Sequence, residues 1–172
     1  MAGSPRIYVA CLAAYNAGHL HGQWIDADQS ADDIREAISE MLSRSPARGA
    51  EEWAIHDHDE FQGISIKEFE SIDTVAALAA LLTEHQSAAV AAYNHFADLE
   101  EAKSALAENY CGAWSSLKEW AEDYFEDSGE LASVPEGLRR YIDFERCADD
   151  LEMGGDIFSE EVDGEVHVFW NR

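Results

Sequence analysis

Several groups of side chains in this sequence have types and spacings that invite chemistry. Calcium loops take oxygen ligands at their first, third, fifth and twelfth positions and need Gly at the sixth. Asp57, Asp59 and Glu68 fall at the first, third and twelfth places of that template. Phe61 and Gln62 occupy the fifth and sixth, so the loop fails where it needs an oxygen and a sharp turn. His19 and His21, or His56 and His58, alternate as on one face of a strand, yet neither pair has a third ligand at zinc-like spacing. They read as surface histidines. Cys11, Cys111 and Cys147 are odd in number and lack CxxC spacing, so they read as small apolar side chains rather than disulfides or ligands. No GxGxxG, P-loop, GxSxG or HExxH pattern occurs. The expectation is a protein with no catalytic residue, no metal and no cofactor.

The carboxylates dominate. In 172 residues, 36 Asp and Glu face 11 Lys and Arg, a formal net charge of −25. Such a balance excludes direct binding to nucleic acid or anionic membranes, which needs Lys and Arg. The acids are laid out as helix faces. Glu119, Glu122, Asp123 and Glu126 recur at the helical interval, with Asp127 beside them, and Leu117, Trp120, Ala121 and Tyr124 form a separate apolar stripe. Glu145, Asp149 and Glu152 repeat the pattern further on, and Asp32, Asp33, Glu36 and Glu40 form an earlier face. Glu100 and Glu101 open another acidic helix. Few Lys residues interrupt these faces, so the usual i,i+4 ion pairing is missing. Duplex DNA carries two charges per base pair, so −25 matches roughly a dozen base pairs. Salt adaptation or simple solubility produces the same composition.

The elements that carry these faces alternate between strand and helix, an α+β pattern. Residues 6–12 read as a strand, a turn follows at Asn16–Gly18, and 19–26 is extended. Ser30 caps a helix to about Arg44, and 51–56 reads as a third strand. Helices are predicted near 73–84, 86–95 and 98–108. Then come a strand at 110–114, a helix over 115–126 and a helix from about Pro135 to Met153. Residues 157–162 and 165–170 form a hairpin about Asp163-Gly164, a type I′ signal. The longest clean apolar run, Val75 to Leu82, is too short for a membrane span. Arg6 followed by Ile7–Tyr15 imitates a signal peptide weakly, and the chain reads as cytoplasmic. Three small domains are expected: 1–62 (α+β), 63–106 (helical) and 107–172 (α+β).

Particular strings carry a family resemblance. Ile7-Tyr-Val-Ala-Cys-Leu-Ala-Ala-Tyr-Asn16, with Gly18, Leu20, His21-Gly22 and Trp24-Ile-Asp-Ala27, resembles the opening of the ArdA antirestriction family. Glu52-Trp-Ala-Ile-His-Asp57 with Phe61 and Gly63 resembles its second block. Tyr141-Ile-Asp143, Ala148-Asp-Asp-Leu-Glu152, Gly155-Asp156 and Val166-His-Val-Phe169 resemble its C-terminal region. The segment Leu117–Asp127 falls near the family's acidic antirestriction motif, interrupted here by Lys118, with Arg139-Arg140 not far downstream.

The resemblance implies an elongated, homodimeric mimic of bent B-form DNA, carried by mobile elements and directed at type I restriction-modification enzymes. Its partner-binding residues would be the acidic faces named above, displacing DNA from a basic channel. An acidic, salt-adapted scaffold or protein-interaction domain without a DNA-related target is the competing reading, and an enzyme with paired carboxylates a third.

Overall fold

The computed structural model describes residues 3–172. Its chain folds as an α+β protein in two compact units, Met1–Gln86 and Ser87–Arg172.

The first unit is built on an antiparallel sheet of order β2-β1-β3. β1 (Arg6–Cys11) lies at its centre because its inward residues, Ile7 and Val9, are β-branched and wholly buried. β2 (Gly22–Asp26) and β3 (Trp53–Asp59) flank it, with Ile7 opposite Ile25 and Val9 opposite Ile55. Between β1 and β2 the chain makes a short helix, α1 (Leu12–Asn16), where the sequence suggested the end of a strand and a turn. Ala13 and Ala14 favour the helix, and Ala14 is fully buried by it. α2 (Ala31–Ser43) covers the sheet with Ile34, Ile38 and Met41. Ser30 caps it: the Ser30 hydroxyl accepts from the Asp33 N–H at 3.1 Å and donates to the Asp33 carboxylate at 2.8 Å. α3 (Ile72–His85) packs on α2, and Arg35 reaches across to Asp73 at 2.7 Å.

The second unit has the sheet order β4-β6-β5. β5 (Ile157–Val162) and β6 (Glu165–Trp170) are the expected hairpin, and β4 (Tyr110–Trp114) pairs antiparallel with β6. Asp163 and Gly164 both have positive φ, 53° and 82°, as a type I′ turn requires. α6 (Leu117–Asp127) and α8 (Phe144–Met153) lie on one face of this sheet, packing Trp120, Ala121, Phe144 and Ala148 against Ile157 and Val168. α4 (Ser87–Phe96) and α5 (Leu99–Glu108) also pack against this sheet. Phe158 stacks between His95 of α4, at 3.7 Å between ring centres, and Phe169, at 4.8 Å.

The single helix expected from Pro135 to Met153 is interrupted. α7 (Glu136–Arg139) ends after one turn, and the Asp143 carboxylate accepts from the Arg146 N–H at 3.1 Å to open α8. An N-cap Asp competes with continued helix, and here it wins. The interruption leaves Arg139, the last residue of α7, and Arg140, which follows it, apart from the acids of α8.

His167 on β6 is 1% exposed. Its Nδ1 shares a 2.9 Å hydrogen bond with the Tyr110 hydroxyl, and its Nε2 has no partner among the described residues. Burial holds the imidazole below its ordinary proton affinity, against the opposing pull of Glu165 and Asp163. The folded state therefore keeps His167 neutral at a pH where the unfolded chain protonates it. Stability from this site is complete above the ordinary histidine value, about 6.5, and falls as pH drops below it. The Tm of the protein should decline between about pH 7 and pH 5 more steeply than that of His167→Gln, followed by circular dichroism. Parallel pH profiles would remove His167 from the acid response.

Candidate acidic interface

All fourteen carboxylates singled out from the sequence lie on helices, and thirteen are exposed. The structure separates them by what each oxygen touches. Asp32 pairs with Arg35 at 3.2 Å, Glu40 with Arg44 at 3.8 Å and Glu100 with Lys103 at 3.0 Å. Asp33 belongs to the cap of α2 described above. Glu152 is half-buried and turned toward β5, where it accepts from the Ser159 N–H at 3.0 Å and hydroxyl at 2.6 Å. Glu119 serves the start of α6: it accepts from the Ser115 N–H at 3.0 Å and from the Ser115 hydroxyl, and its own N–H donates to Ser116 Oγ at 3.1 Å. Those bonds hold the Glu119 carboxyl below the usual carboxylate range.

Eight remain without a side-chain partner among the described residues: Glu36, Glu101, Glu122, Asp123, Glu126, Asp127, Glu145 and Asp149. Four of the eight belong to α6. Its inner stripe is set by Trp120, 3% exposed, which stacks on Tyr124 with ring centres 5.4 Å apart and meets Trp170 edge-on at 5.8 Å. With that stripe pinned, helical geometry turns Glu122, Asp123 and Glu126 to solvent. The hairpin adds acids that helical spacing did not reveal. Glu161, Asp163 and Glu165 are exposed at its tip, and Glu160 lies 3.7 Å from His95. Their signal was present in the sequence, but it was absorbed by the turn pattern.

The metal-like segment resolves differently from its template. β3 runs on through Asp59, so Asp57, His58 and Asp59 are strand residues rather than loop ligands. A bulge leaves His56 without a partner across β1, which breaks the alternation expected to align it with His58. His56 meets the edge of Tyr15 at 5.1 Å, whereas His58 sits against Phe61 at 5.9 Å. Among the described residues no three His, Cys, Asp or Glu side chains are placed to hold a metal ion. No described helix is long and apolar enough to cross a membrane.

A family model for antirestriction protein (ArdA) matches residues 7–164, nearly the whole chain. The chain belongs to the ArdA family. Comparison with curated proteins finds no match. ArdA proteins are antirestriction proteins, and membership implies that this chain works as a protein inhibitor through interaction with a restriction-modification enzyme. In this ArdA chain the free carboxylates of α6 are a surface feature that the core does not need.

Substitution should separate these roles. Glu122→Gln, Asp123→Asn and Glu126→Gln should each shift stability by no more than about 0.5 kcal/mol, and relief of like-charge repulsion acts in the stabilising direction. Glu119→Gln should lower Tm measurably, because it weakens the Ser115 contacts that start α6. That deficit should shrink as pH falls into the carboxylate range, where wild-type Glu119 is itself protonated. Thermal melts of the four variants check the ranking.

Proposed function

We propose that this ArdA chain is a mimic of B-form DNA that occupies the DNA-binding channel of a type I restriction-modification enzyme and displaces its substrate. The observation that carries the reading is the α6 face. Glu119, Glu122, Asp123 and Glu126 span eight residues, so seven residue steps and about 10.5 Å of helix axis separate the first from the last. That is one carboxylate per about 3.5 Å, against one phosphate per about 3.4 Å along a DNA strand. The arginines and lysines of such a channel, arranged for phosphates, would meet carboxylates at similar density. The net charge of −25 would speed the encounter by long-range attraction. Inhibition is stoichiometric in this reading and needs no catalytic residue or cofactor. The chain binds no nucleic acid itself and acts in the cytoplasm, where entering DNA meets the host enzyme. It works as a homodimer, and its three segments divide near residues 62 and 106.

Displacement of labelled DNA from a type I complex tests the mechanism directly. The inhibitor's apparent Kd should rise at least tenfold between about 50 and 200 mM salt. A salt-indifferent Kd would point to an ordinary apolar interface. Glu122→Gln, Asp123→Asn and Glu126→Gln should each weaken inhibition a few-fold and cumulatively, because many contacts share the binding. Loss of activity by a thousandfold from one of them would instead indicate a catalytic or ligating carboxylate. Limited proteolysis tests the segment boundaries: first cuts near 62 and 106 support three segments, and a first cut near 86 supports two.

A further inference from the structure

Tyr15 and Trp24, two aromatic side chains exposed on the first unit, already have partners. Tyr15 meets the edge of His56 at 5.1 Å, and Trp24 lies beneath the Arg6 guanidinium at 4.8 Å with Tyr8 at 5.5 Å. Phe69, 70% exposed, has no ring stacked on it and no cation over it among the described residues. The backbone holds it outward. The Ile55 N–H of β3 donates to the Glu68 carbonyl at 2.9 Å, which ties the segment before α3 to the edge of the sheet. The Glu70 N–H donates to the Lys67 carbonyl at 3.1 Å, and Phe69 occupies the third position of the turn this bond closes. Phe69, the half-buried Trp53 that starts β3 and the Ile72 that starts α3 line a recess of about 330 Å³, together with Arg35, Glu70 and Ser71.

An apolar recess on so acidic a surface selects its occupant by charge. Arg35 is shared between Asp32 at 3.2 Å and Asp73 at 2.7 Å, so its charge is already answered. Residues 51–53 and 67–73 hold five acids and one Lys. An acidic partner is disfavoured there, a second copy of charge −25 included, and a segment bearing Lys or Arg is attracted. We infer that the recess of Trp53 and Phe69 receives an apolar side chain from a basic segment of the restriction-modification enzyme. The inference rests on the proposed function, in which a basic surface of that enzyme meets the carboxylates. Those carboxylates imitate the charge of phosphates, and salt weakens the attraction they exert. Burial of the Phe69 ring is an apolar contact, which screening does not touch. Aromatic side chains are enriched at the buried centres of interfaces, where a few residues carry most of the affinity. The recess thus gives the chain a hold on the enzyme that persists when charge is screened.

Direct binding of the intact chain to a purified type I enzyme, measured from about 50 to 200 mM salt, tests the assignment, with circular dichroism confirming the native fold. Phe69→Ser should raise Kd roughly tenfold or more, by a similar factor at every salt concentration. Phe69→Leu, which keeps an apolar anchor, should stay within a few-fold of wild type. So should Leu20→Ser, an apolar loss at a side chain 78% exposed on the same unit but outside the recess. E68Q/E70Q should weaken binding severalfold and flatten its salt dependence. If F69S binds as wild type does at every salt concentration, the anchor is overturned. A salt dependence unmoved by E68Q/E70Q overturns the basic character of the occupant. Should F69S change only the sedimentation of the free chain, the occupant is a second copy and the inference falls. A wild-type chain that binds without displacing DNA defeats the mimic, while the F69S comparison still decides the anchor. A wild-type chain that does not bind at all defeats both.

Discussion

The burial of Trp120 governs where much of the charge on the second unit can go. An eleven-residue helix carrying five acids and one Lys has little reason to stay folded in isolation. It is held because Trp120 and Ala121 fill the space above Ile157 and Val168, with Tyr124 and Trp170 closing round the indole. Fixing one side of a helix fixes every other side, since residues three and four apart share a face. The carboxylates of α6 thus point to solvent as a geometric consequence of apolar packing. Their mutual repulsion is opposed by the core beneath them, not by neighbouring lysines.

The same balance explains the scarcity of ion pairs. The cross-element pairs, Arg6 with Asp59 and Arg35 with Asp73, are exposed and contribute little to stability. Cohesion comes instead from small sheets clad by helices, with Ile7 and Val9 in one unit and Phe158, Val168 and Phe169 in the other. A surface left so largely unneutralised is available for a partner of opposite charge. Several acids are nevertheless spent on architecture: Glu119, Asp143 and Glu152 each satisfy a backbone N–H that the fold would otherwise leave open, and Asp33 accepts from the Ser30 hydroxyl that caps α2.

Much of the fold was legible from periodicity. The Asp-Gly hairpin, the capped helix after Ser30 and the helix of 117–127 all stand where alternation and capping residues placed them. The failures have local causes. α1 was hidden because five residues are too few to show a helical period. The break at Asp143 was hidden because its capping signal lies inside an otherwise continuous helical pattern. For the acidic surface, spacing told which carboxylates share a helix face, but not which are tied to Ser115, Ser159 or an arginine. Those ties depend on neighbours brought together by the turn, and no periodicity encodes them. The Arg139-Arg140 pair was visible in the sequence, but the break that parts it from the acids of α8 was not.

The division of labour on α6 has an evolutionary consequence. Only Glu119 is bound to a specific hydroxyl and N–H; Glu122, Asp123 and Glu126 are exposed and make no such bond among the described residues. Glu and Asp can therefore replace one another at those three positions, and acids can be gained or lost nearby, without disturbing the packing of Trp120. The surface is free to drift while the scaffold stays still. An inhibitor so built can follow changes in an opposing enzyme by small steps, none of which puts its own folding at risk.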